Sequence, residues 1–326
     1  MQGAPRRKPA TSVDVARAAG VSQTTVSLVF SGRAGGRVSE RTRALVERIA
    51  AELGYAPNTS ARVLRGGRPK VLALAVPNVR NEYFSAVLVG GEQAAREQGV
   101  AVLLMDTSDE AAWVERMIDM ERAGVFAGAI VYAQPPEVTA RLAAEIEHVV
   151  FVECPDPHGK PSIDLDLAGG LRQVVEHLRA LGHRRIGHAR ADLPRETFRL
   201  RAAHLAAELG AQPPHFASGF DVDVATGRAV EFLRANDVTA IFCDDDLLAG
   251  AVYRAAHRLE RWIPGELSVI GFNDVALARY LMPELTSVAI PAETVGALAV
   301  RALLDNTGGA LVPLTLTVRA STAAPR

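Results

Sequence analysis

Apolar residues recur with the period of a helix in the first part of the chain, and residues 21–32 (VSQTTVSLVFSG) show the clearest case. Two stripes form on a 3.6-residue period, an apolar one of Val26, Val29 and Phe30 and a second one of Gln23, Thr24, Ser27 and Leu28. A surface helix ordinarily carries Glu and Lys on its outer face. Short hydroxyl side chains instead permit close approach to another surface such as a DNA groove, although a poorly charged core helix would have the same pattern.

Helices are also predicted on both sides of this segment. The first begins at the capping pair Thr11 and Asp14 and ends at Gly20, and the third begins at Ser39 and ends at Gly54. The residues expected to face inward are Val13, Ala16 and Ala19 in the first helix and Leu45, Val46, Ile49 and Leu53 in the third. Three short helices, with a tight turn between the first two, predict a helix-turn-helix domain.

A short helical segment is predicted next, in residues 57–67 (PNTSARVLRGG). Asn58 is placed to cap it and Gly66 to end it. Isolated helices of fewer than about 12 residues are marginal in water. The segment therefore indicates either a helix that orders on a partner or a linker with one helical turn.

Short apolar runs then alternate with amphipathic segments to the end of the chain. The runs predict buried strands at residues 71–76, 100–105, 127–132 and 148–153, and again at 184–189, 239–244 and 267–272. Strands that alternate with helices favour parallel sheets, and the pattern occurs twice. We therefore expect two open parallel-sheet lobes with a ligand cleft between them, at the carboxyl ends of the strands.

Charge is distributed unevenly along the 326 residues. The first 70 residues contain 13 Lys and Arg against 4 Asp and Glu, whereas the remainder contains 23 against 33. A basic segment with helical apolar periodicity favours a nucleic-acid-binding domain over a solvated basic tail.

Two cysteines, Cys154 and Cys243, cannot form a disulfide framework, and no apolar run approaches about 18 residues. We expect a cytoplasmic protein that is neither secreted nor membrane-spanning.

The sequence gives little support for a catalytic site or a metal-binding site. Residues 243–246 (CDDD) contain three consecutive carboxylates, but neighbours at the end of a strand point in different directions, so a helix cap at Asp244 is favoured over a metal site. No zinc-protease, nucleophile-elbow, phosphate-loop or dinucleotide motif occurs. Trp113 and Trp262 are expected to lie in the core or on the surface. We therefore expect no cofactor, no metal and no enzymatic activity.

Two stretches, TSVDVARAAGVSQTTVSLVFSG and RVSERTRALVERIAAELGYAPNTSARVLRGG, resemble the headpiece of the lactose/galactose repressor (LacI-GalR) family of bacterial transcription regulators. The blocks VPNVRNEYFSAVLVGGEQAAREQG, LRALGHRRIGHA, VIGFNDVALARYLMPELTSV and LTVRAST resemble the effector-binding core of that family. The resemblance implies an N-terminal all-α helix-turn-helix headpiece with a hinge helix, followed by an α/β periplasmic-binding-protein-like core of two open parallel-sheet subdomains.

The resemblance also implies boundaries for these parts. They are a DNA-binding domain at 1–56, a hinge helix and linker at 57–70, and an effector-binding and dimerisation domain at 71–326. Within the last, subdomain 1 is expected at 71–164 and 291–319 and subdomain 2 at 165–290.

DNA-contacting residues follow from the same resemblance. Gln23, Thr24 and Leu28 match base-facing positions, and the positions matching phosphate contacts are Thr11, Ser22, Thr25 and Ser27. Asn58 belongs to the matched hinge helix, and Leu64 occupies the place of the leucine that wedges into the minor groove of a bent operator. Many members carry Arg at the position of Leu28, so we expect a preference for thymine there.

Effector-contacting residues are implied as well. The matched positions are Tyr83, Phe84, Arg199, Phe220, Asp245 and Asn273, with Arg195 as the alternative to Arg199. Glu82 replaces a usual proline, and Asp245 and Asn273 exchange the Asn and Asp that are common at those positions. The resemblance implies a dimeric repressor that binds double-stranded operator DNA and is controlled by a small molecule such as a sugar. The alternative is a solute-binding protein or a sugar-processing enzyme with a basic extension.

Overall fold

The computed structural model describes residues 10–30, 38–55, 69–108, 112–132 and 134–326. They fall into two compact units, Met1–Pro69 and Lys70–Arg326. Among the described residues, no helix combines the length and the apolar character that a membrane span requires.

The described part of the first unit contains three helices: α1 (Ser12–Ala19), α2 (Gln23–Phe30) and α3 (Glu40–Leu53). Thr11 and Asp14 form the predicted capping box, and the Ser39 side chain accepts a hydrogen bond from Thr42 N. Helices α1 and α3 end at Gly20 and Gly54, whose φ angles of 64° and 63° favour glycine. The predicted helix-turn-helix is therefore confirmed.

The core of this unit differs in detail from the predicted one. Its buried residues are Val15, Ala16, Ala19, Val26, Val29, Val46 and Ala50. The predictions for Val13 and Leu53 were wrong, because both side chains are exposed and the buried stripes run through Val15 and Ala50 instead. Phe30 closes one end of the core by an edge contact with Tyr55, with 5.7 Å between the ring centroids.

The second unit begins with a six-stranded parallel sheet of order β11-β5-β4-β3-β1-β2. Its strands are β1 (Val71–Val76), β2 (Ala101–Asp106), β3 (Ala129–Tyr132), β4 (Val149–Val152), β5 (Ser162–Leu165) and β11 (Ala310–Val312). Its helices are α4 (Glu82–Glu97), α5 (Trp113–Arg122), α6 (Pro136–Glu145) and α12 (Ala292–Leu304). Helices α4 and α12 pack closely because Gly90 has no side chain between them. A Cβ at Gly90 would lie only 1.9 Å from the carbonyl oxygen of Glu293.

A second six-stranded sheet has the order β12-β10-β9-β8-β6-β7. Its strands are β6 (Ile186–Ala191), β7 (His215–Ser218), β8 (Ala240–Cys243), β9 (Ser268–Asn273), β10 (Thr286–Ala289) and β12 (Thr315–Thr317), of which β12 alone is antiparallel to its neighbour. Its helices are α7 (Leu167–Ala180), α8 (Glu196–Leu209), α9 (Val222–Ala235), α10 (Asp246–Arg258) and α11 (Leu277–Tyr280). The two sheets confirm the predicted pair of lobes, here called the first and second lobe.

Within the described part of this unit, the chain passes between the lobes three times: after β5, after β10, and between β11 and β12. The last crossing precedes the boundary expected at residue 319. Strand β12 pairs with β10, and Val269 N donates to the carbonyl oxygen of Ser321. Residues 313–319 therefore belong to the second lobe, because their backbone hydrogen bonds are made there.

Candidate functional site

The outward face of α2 presents the polar side chains that the sequence singles out. Gln23 and Thr24 are exposed, whereas Thr25, Ser27 and Leu28 are partly buried. Ser22 Oγ accepts a hydrogen bond from Thr25 N at 3.1 Å and lies 2.9 Å from the Thr25 hydroxyl. The start of α2 is thereby capped by Ser22, which is one of the residues expected to contact phosphate. Asn58 and Leu64 lie outside the described residues, so their roles stay predictions.

A cavity of about 610 Å³ lies between the two lobes of the second unit. Its walls are built by residues at or just beyond the carboxyl ends of β1–β4 and β6–β9, as expected for parallel sheets. Five predicted effector residues meet there: Tyr83, Phe84, Phe220, Asp245 and Asn273. The cavity, here called the cleft, therefore brings together predicted residues that are up to 190 positions apart in the sequence, from Tyr83 to Asn273.

An arginine that sequence reasoning missed lies in the wall of the cleft. Arg201 is 4% exposed, and its Nη1 donates to the carbonyl oxygen of Asp244 at 2.6 Å. The guanidinium carbon lies 3.7 Å from the ring centroid of Phe272, and Nη2 lies 3.9 Å from the carboxylate of Glu153. A buried cation needs such partners, because removing it from water is costly.

Two polar atoms in the cleft wall remain unsatisfied. Thr197 Oγ1 and Arg201 Nε are buried and have no hydrogen-bond partner among the described residues. Buried polar groups are nearly always hydrogen-bonded, because an unpaired one costs about 1–3 kcal/mol. The hydroxyl and the N–H are therefore well suited to bind a polar ligand.

On the first-lobe side of the cleft, a chain of hydrogen bonds runs through two tyrosine hydroxyls to the carboxylate of Glu153. Tyr132 Oη donates to Tyr83 Oη at 3.2 Å, and Tyr83 Oη donates to Glu153 Oε1 at 3.0 Å. Burial raises the pKa of both tyrosines well above the ordinary value, so both remain neutral donors. Glu153 thus faces Tyr83 on one side and Arg201 on the other.

Asp245 connects the two lobes. Its Oδ2 accepts from Asn273 Nδ2 at 2.8 Å and from Asn81 Nδ2 of the first lobe at 3.3 Å, while its Oδ1 accepts from Leu247 N at 2.8 Å. Burial raises the pKa of Asp245 to about 6. Both carboxylate oxygens of Asp245 therefore accept hydrogen bonds within the protein. Asp245 and Asn273, which stand where Asn and Asp are common, still form a hydrogen-bonded pair.

Two further hydrogen bonds connect the lobes. Arg195 Nη1 donates to Gln134 Oε1 at 2.7 Å, and Ala276 N donates to a carboxylate oxygen of Glu82 at 3.2 Å. Glu82 makes this contact where a proline, having no hydrogen-bonding side chain, would make none. Arg195 also lines the cleft, so the alternative arginine lies at the site too.

The three carboxylates that follow β8 have separate structural roles. Asp244 accepts from His188 Nε2 at 2.8 Å, and Asp246 accepts from Ser287 Oγ at 2.6 Å. The helix cap is Asp245 and not Asp244 as predicted, because the Asp244 side chain points into the second lobe. Burial also raises the pKa of Asp246 to about 8. In the part of the chain that the structure describes, no cluster of three or more such residues has metal-binding geometry.

Comparisons with known proteins decide the family. Residues 12–58 match the model of the bacterial regulatory proteins of the lacI family, and residues 175–322 match a periplasmic binding protein-like domain. The regulator DegA of Bacillus subtilis (strain 168) is 30% identical over 302 residues, which cover 88% of each chain. This chain belongs to the LacI family.

Two further similarities agree with membership of the LacI family. The regulator CelR of Thermobifida fusca is 31% identical over 327 residues, which cover 93% of each chain. A crystal structure of the Lac repressor dimer bound to operator and the anti-inducer ONPF is 27% identical, with a TM-score of 0.87 over 97% of this chain and 100% of that one. The similar proteins are transcriptional regulators and not enzymes, which confirms the functional class expected from the sequence.

One residue inferred from the LacI-family resemblance does not reach the cleft. Arg199 is 66% exposed and pairs with Glu196, one turn earlier on α8, through its Nε at 2.8 Å. The buried face of α8 instead contains Thr197, Arg201 and Leu205, which are spaced four residues apart. This spacing is visible in the sequence and would have selected Arg201.

Proposed function

We propose that this LacI-family regulator is a repressor that binds operator DNA as a homodimer and changes its grip on the operator when a small molecule occupies the cleft. The observation that supports this proposal is that one chain combines a folded helix-turn-helix with a two-lobed cleft. In that cleft, Thr197 Oγ1 and Arg201 Nε are buried and have no hydrogen-bond partner among the residues that the structure describes. Such a protein acts on chromosomal DNA, so we place it in the cytoplasm.

In this proposal, α2 lies in the major groove of each operator half-site. Gln23, Thr24 and Leu28 face base edges, and the residues proposed to contact phosphate are Thr11, Ser22, Thr25 and Ser27. Asn58 caps the hinge helix, and Leu64 inserts into the minor groove. Two protomers related by a two-fold axis would require a pseudo-palindromic operator.

The effector is proposed to bind between the lobes. Thr197 and Arg201 offer the unsatisfied hydroxyl and N–H, while Phe84 and Phe220 offer aromatic faces for a ring. Tyr83, Asp245 and Asn273 complete the wall. A small polar ring such as a sugar suits this mixture, because it has hydroxyl groups on its edges and C–H groups on its faces.

A second copy of the chain is the proposed partner of an apolar surface on the second lobe. Five exposed apolar residues on and beside the neighbouring helices α9, α10 and α11 are here called the apolar patch: Val222, Val224, Leu247, Tyr280 and Met282. Exposed apolar patches of this kind mark association surfaces. Helix α11 packs on α10, and Tyr253 Oη donates to the carbonyl oxygen of Pro283, which fixes the segment that contains Met282 to α10.

The proposal is tested by gel shift with duplex DNA from upstream of the gene and with random duplex of equal length. We expect preference for the upstream fragment, weakening steeply between 50 and 200 mM salt because phosphate contacts release counterions. A thermal-shift screen of sugars, nucleosides and purines should identify a compound that alters the gel shift. Equal binding to both duplexes, with every compound, would contradict the proposal.

A further inference from the structure

The first residue of α2 is hydrogen-bonded to the first residue of α1. Gln23 Nε2 donates to Ser12 Oγ across 3.0 Å. Ser12 is a rigid anchor, because the capping box of Thr11 and Asp14 fixes the backbone directly before it. The two helices themselves are held together by the buried core of the headpiece. The Gln23 side chain therefore has a defined direction before any DNA is present.

The hydrogen bond uses only part of what a primary amide offers. The side-chain nitrogen of Gln23 has two N–H groups, and Ser12 occupies one of them. The other N–H and Oε1 make no hydrogen bond to the residues that the structure describes, so they remain for a ligand. A glutamine that offers one N–H and one carbonyl side by side matches the N7 acceptor and the N6 donor of adenine in the major groove.

Orientation matters here because glutamine is long and flexible. An untethered glutamine loses rotamer freedom when it binds a base, and the loss opposes recognition. Ser12 removes part of this loss by ordering the amide in the free protein, which is preorganisation in its ordinary sense. Ser12 can have this effect without touching a base itself.

We propose that Ser12 is a specificity-determining residue that positions the Gln23 amide to read adenine in the operator. The inference rests on the proposed function, since it requires that α2 faces the base pairs. The inference also gives Ser12 a different role from the hydroxyl residues that are proposed to contact phosphate. A phosphate contact adds affinity for every sequence alike, whereas a positioning residue changes the preference for one base pair.

The test uses the full-length protein and the operator that it selects from a random duplex library. The base pair read by Gln23 is the one whose preference disappears in Gln23→Ala. Competition binding with the four possible base pairs at that position is then measured for wild type, Ser12→Ala, Ser12→Thr and the double variant Ser12→Ala/Gln23→Ala. Thermal melting of each variant verifies that the headpiece remains folded.

We expect wild type to prefer adenine, Ser12→Ala to reduce that preference about tenfold, and Ser12→Thr, which keeps the hydroxyl, to retain it. In the Gln23→Ala background, Ser12→Ala should have no further effect. An unchanged preference in Ser12→Ala, an equal loss on all four base pairs, or the same loss in both backgrounds would overturn the inference. A wild type that selects no operator would contradict the proposed function instead, so the two failures are distinguishable.

Discussion

Asn273 donates its side-chain N–H to the carboxylate of Asp245 across 2.8 Å, in the wall of the cleft. The same carboxylate oxygen accepts from Asn81 of the first lobe, so a single acidic group holds side chains from both lobes. The φ of Asn273 is 103°, a conformation that L side chains rarely adopt, and the hydrogen bond to Asp245 helps to stabilise it. The charge state of Asp245 therefore affects the stability of the lobes as well as the chemistry of the cleft.

The raised pKa of Asp245 predicts a specific pH dependence. Its pKa is about 6 when folded and near 3.8 when unfolded, so the folded state binds the proton more tightly. Stability from this group is present at low pH and is lost as the pH rises through 6. Asp245→Asn lacks this ionisation. Between pH 5 and pH 7 its unfolding free energy should rise relative to wild type by about 1 kcal/mol.

Urea unfolding at both pH values measures this difference. Asp237→Asn is the matched control, because Asp237 is exposed beside Arg185 at the surface of the second lobe. Its unfolding free energy relative to wild type should not change with pH. A constant difference between Asp245→Asn and wild type at pH 5 and pH 7 would show that the carboxylate is already ionised at pH 5.

Two arginines on α8 allow a matched test of the cleft. Arg201 lines the cleft, and its Nε has no hydrogen-bond partner in the described part of the chain, whereas Arg199 faces solvent beside Glu196. Arg201→Lys should weaken effector binding about 10- to 100-fold, because charged hydrogen bonds contribute more than neutral ones and lysine lacks the Nε–H. Arg199→Lys should bind as wild type does.

Isothermal titration with the compound identified by thermal shift measures both variants, and a gel shift without effector verifies that each still binds operator. The assignment of Arg201 to the site would be wrong if both variants bound the effector equally well.

The sequence predicts features that depend on neighbouring residues better than those that depend on distant ones. The capping box of Thr11 and Asp14 and strand β1 are local patterns, and both are found as predicted. The short strands β5, β7, β10, β11 and β12 were not predicted. They contain only three or four residues, many of them polar, and are defined by pairing with distant strands.

The same distinction explains the candidate site. Tyr83, Phe84 and Asn273 follow strands that are clear in the sequence, so their meeting in the cleft follows from the rule for parallel sheets. The contacts of Asp245 with Asn81 and of Gln134 with Arg195 depend on how the lobes close, which no local pattern encodes. The buried stripe of α8 was available in the sequence, and its period identifies Arg201 correctly.

Base preference at the position of Leu28 is a further prediction. Leucine has no hydrogen-bonding group, so it can contact the thymine methyl but cannot bind guanine, whereas arginine can make two hydrogen bonds to guanine. Operators selected by wild type should have thymine there, and those selected by Leu28→Arg should have guanine with a preference of about 1–3 kcal/mol. Sequencing the selected duplexes gives the answer. Guanine selected by wild type would refute the proposed contact.

The apolar patch of the second lobe predicts the oligomeric state. Met282 is 87% exposed beside Tyr280, so a charge there should prevent a second copy from packing against it at little cost to the fold. Met282→Asp should therefore sediment as a monomer where wild type sediments as a dimer, and it should lose affinity for a two-half-site operator. Leu311→Asp is the control, because Leu311 is also apolar and 67% exposed but lies on β11 of the first lobe. If Met282→Asp remains a dimer, the two copies must associate through a different surface, because a carboxylate buried against apolar groups without a partner would be strongly destabilising.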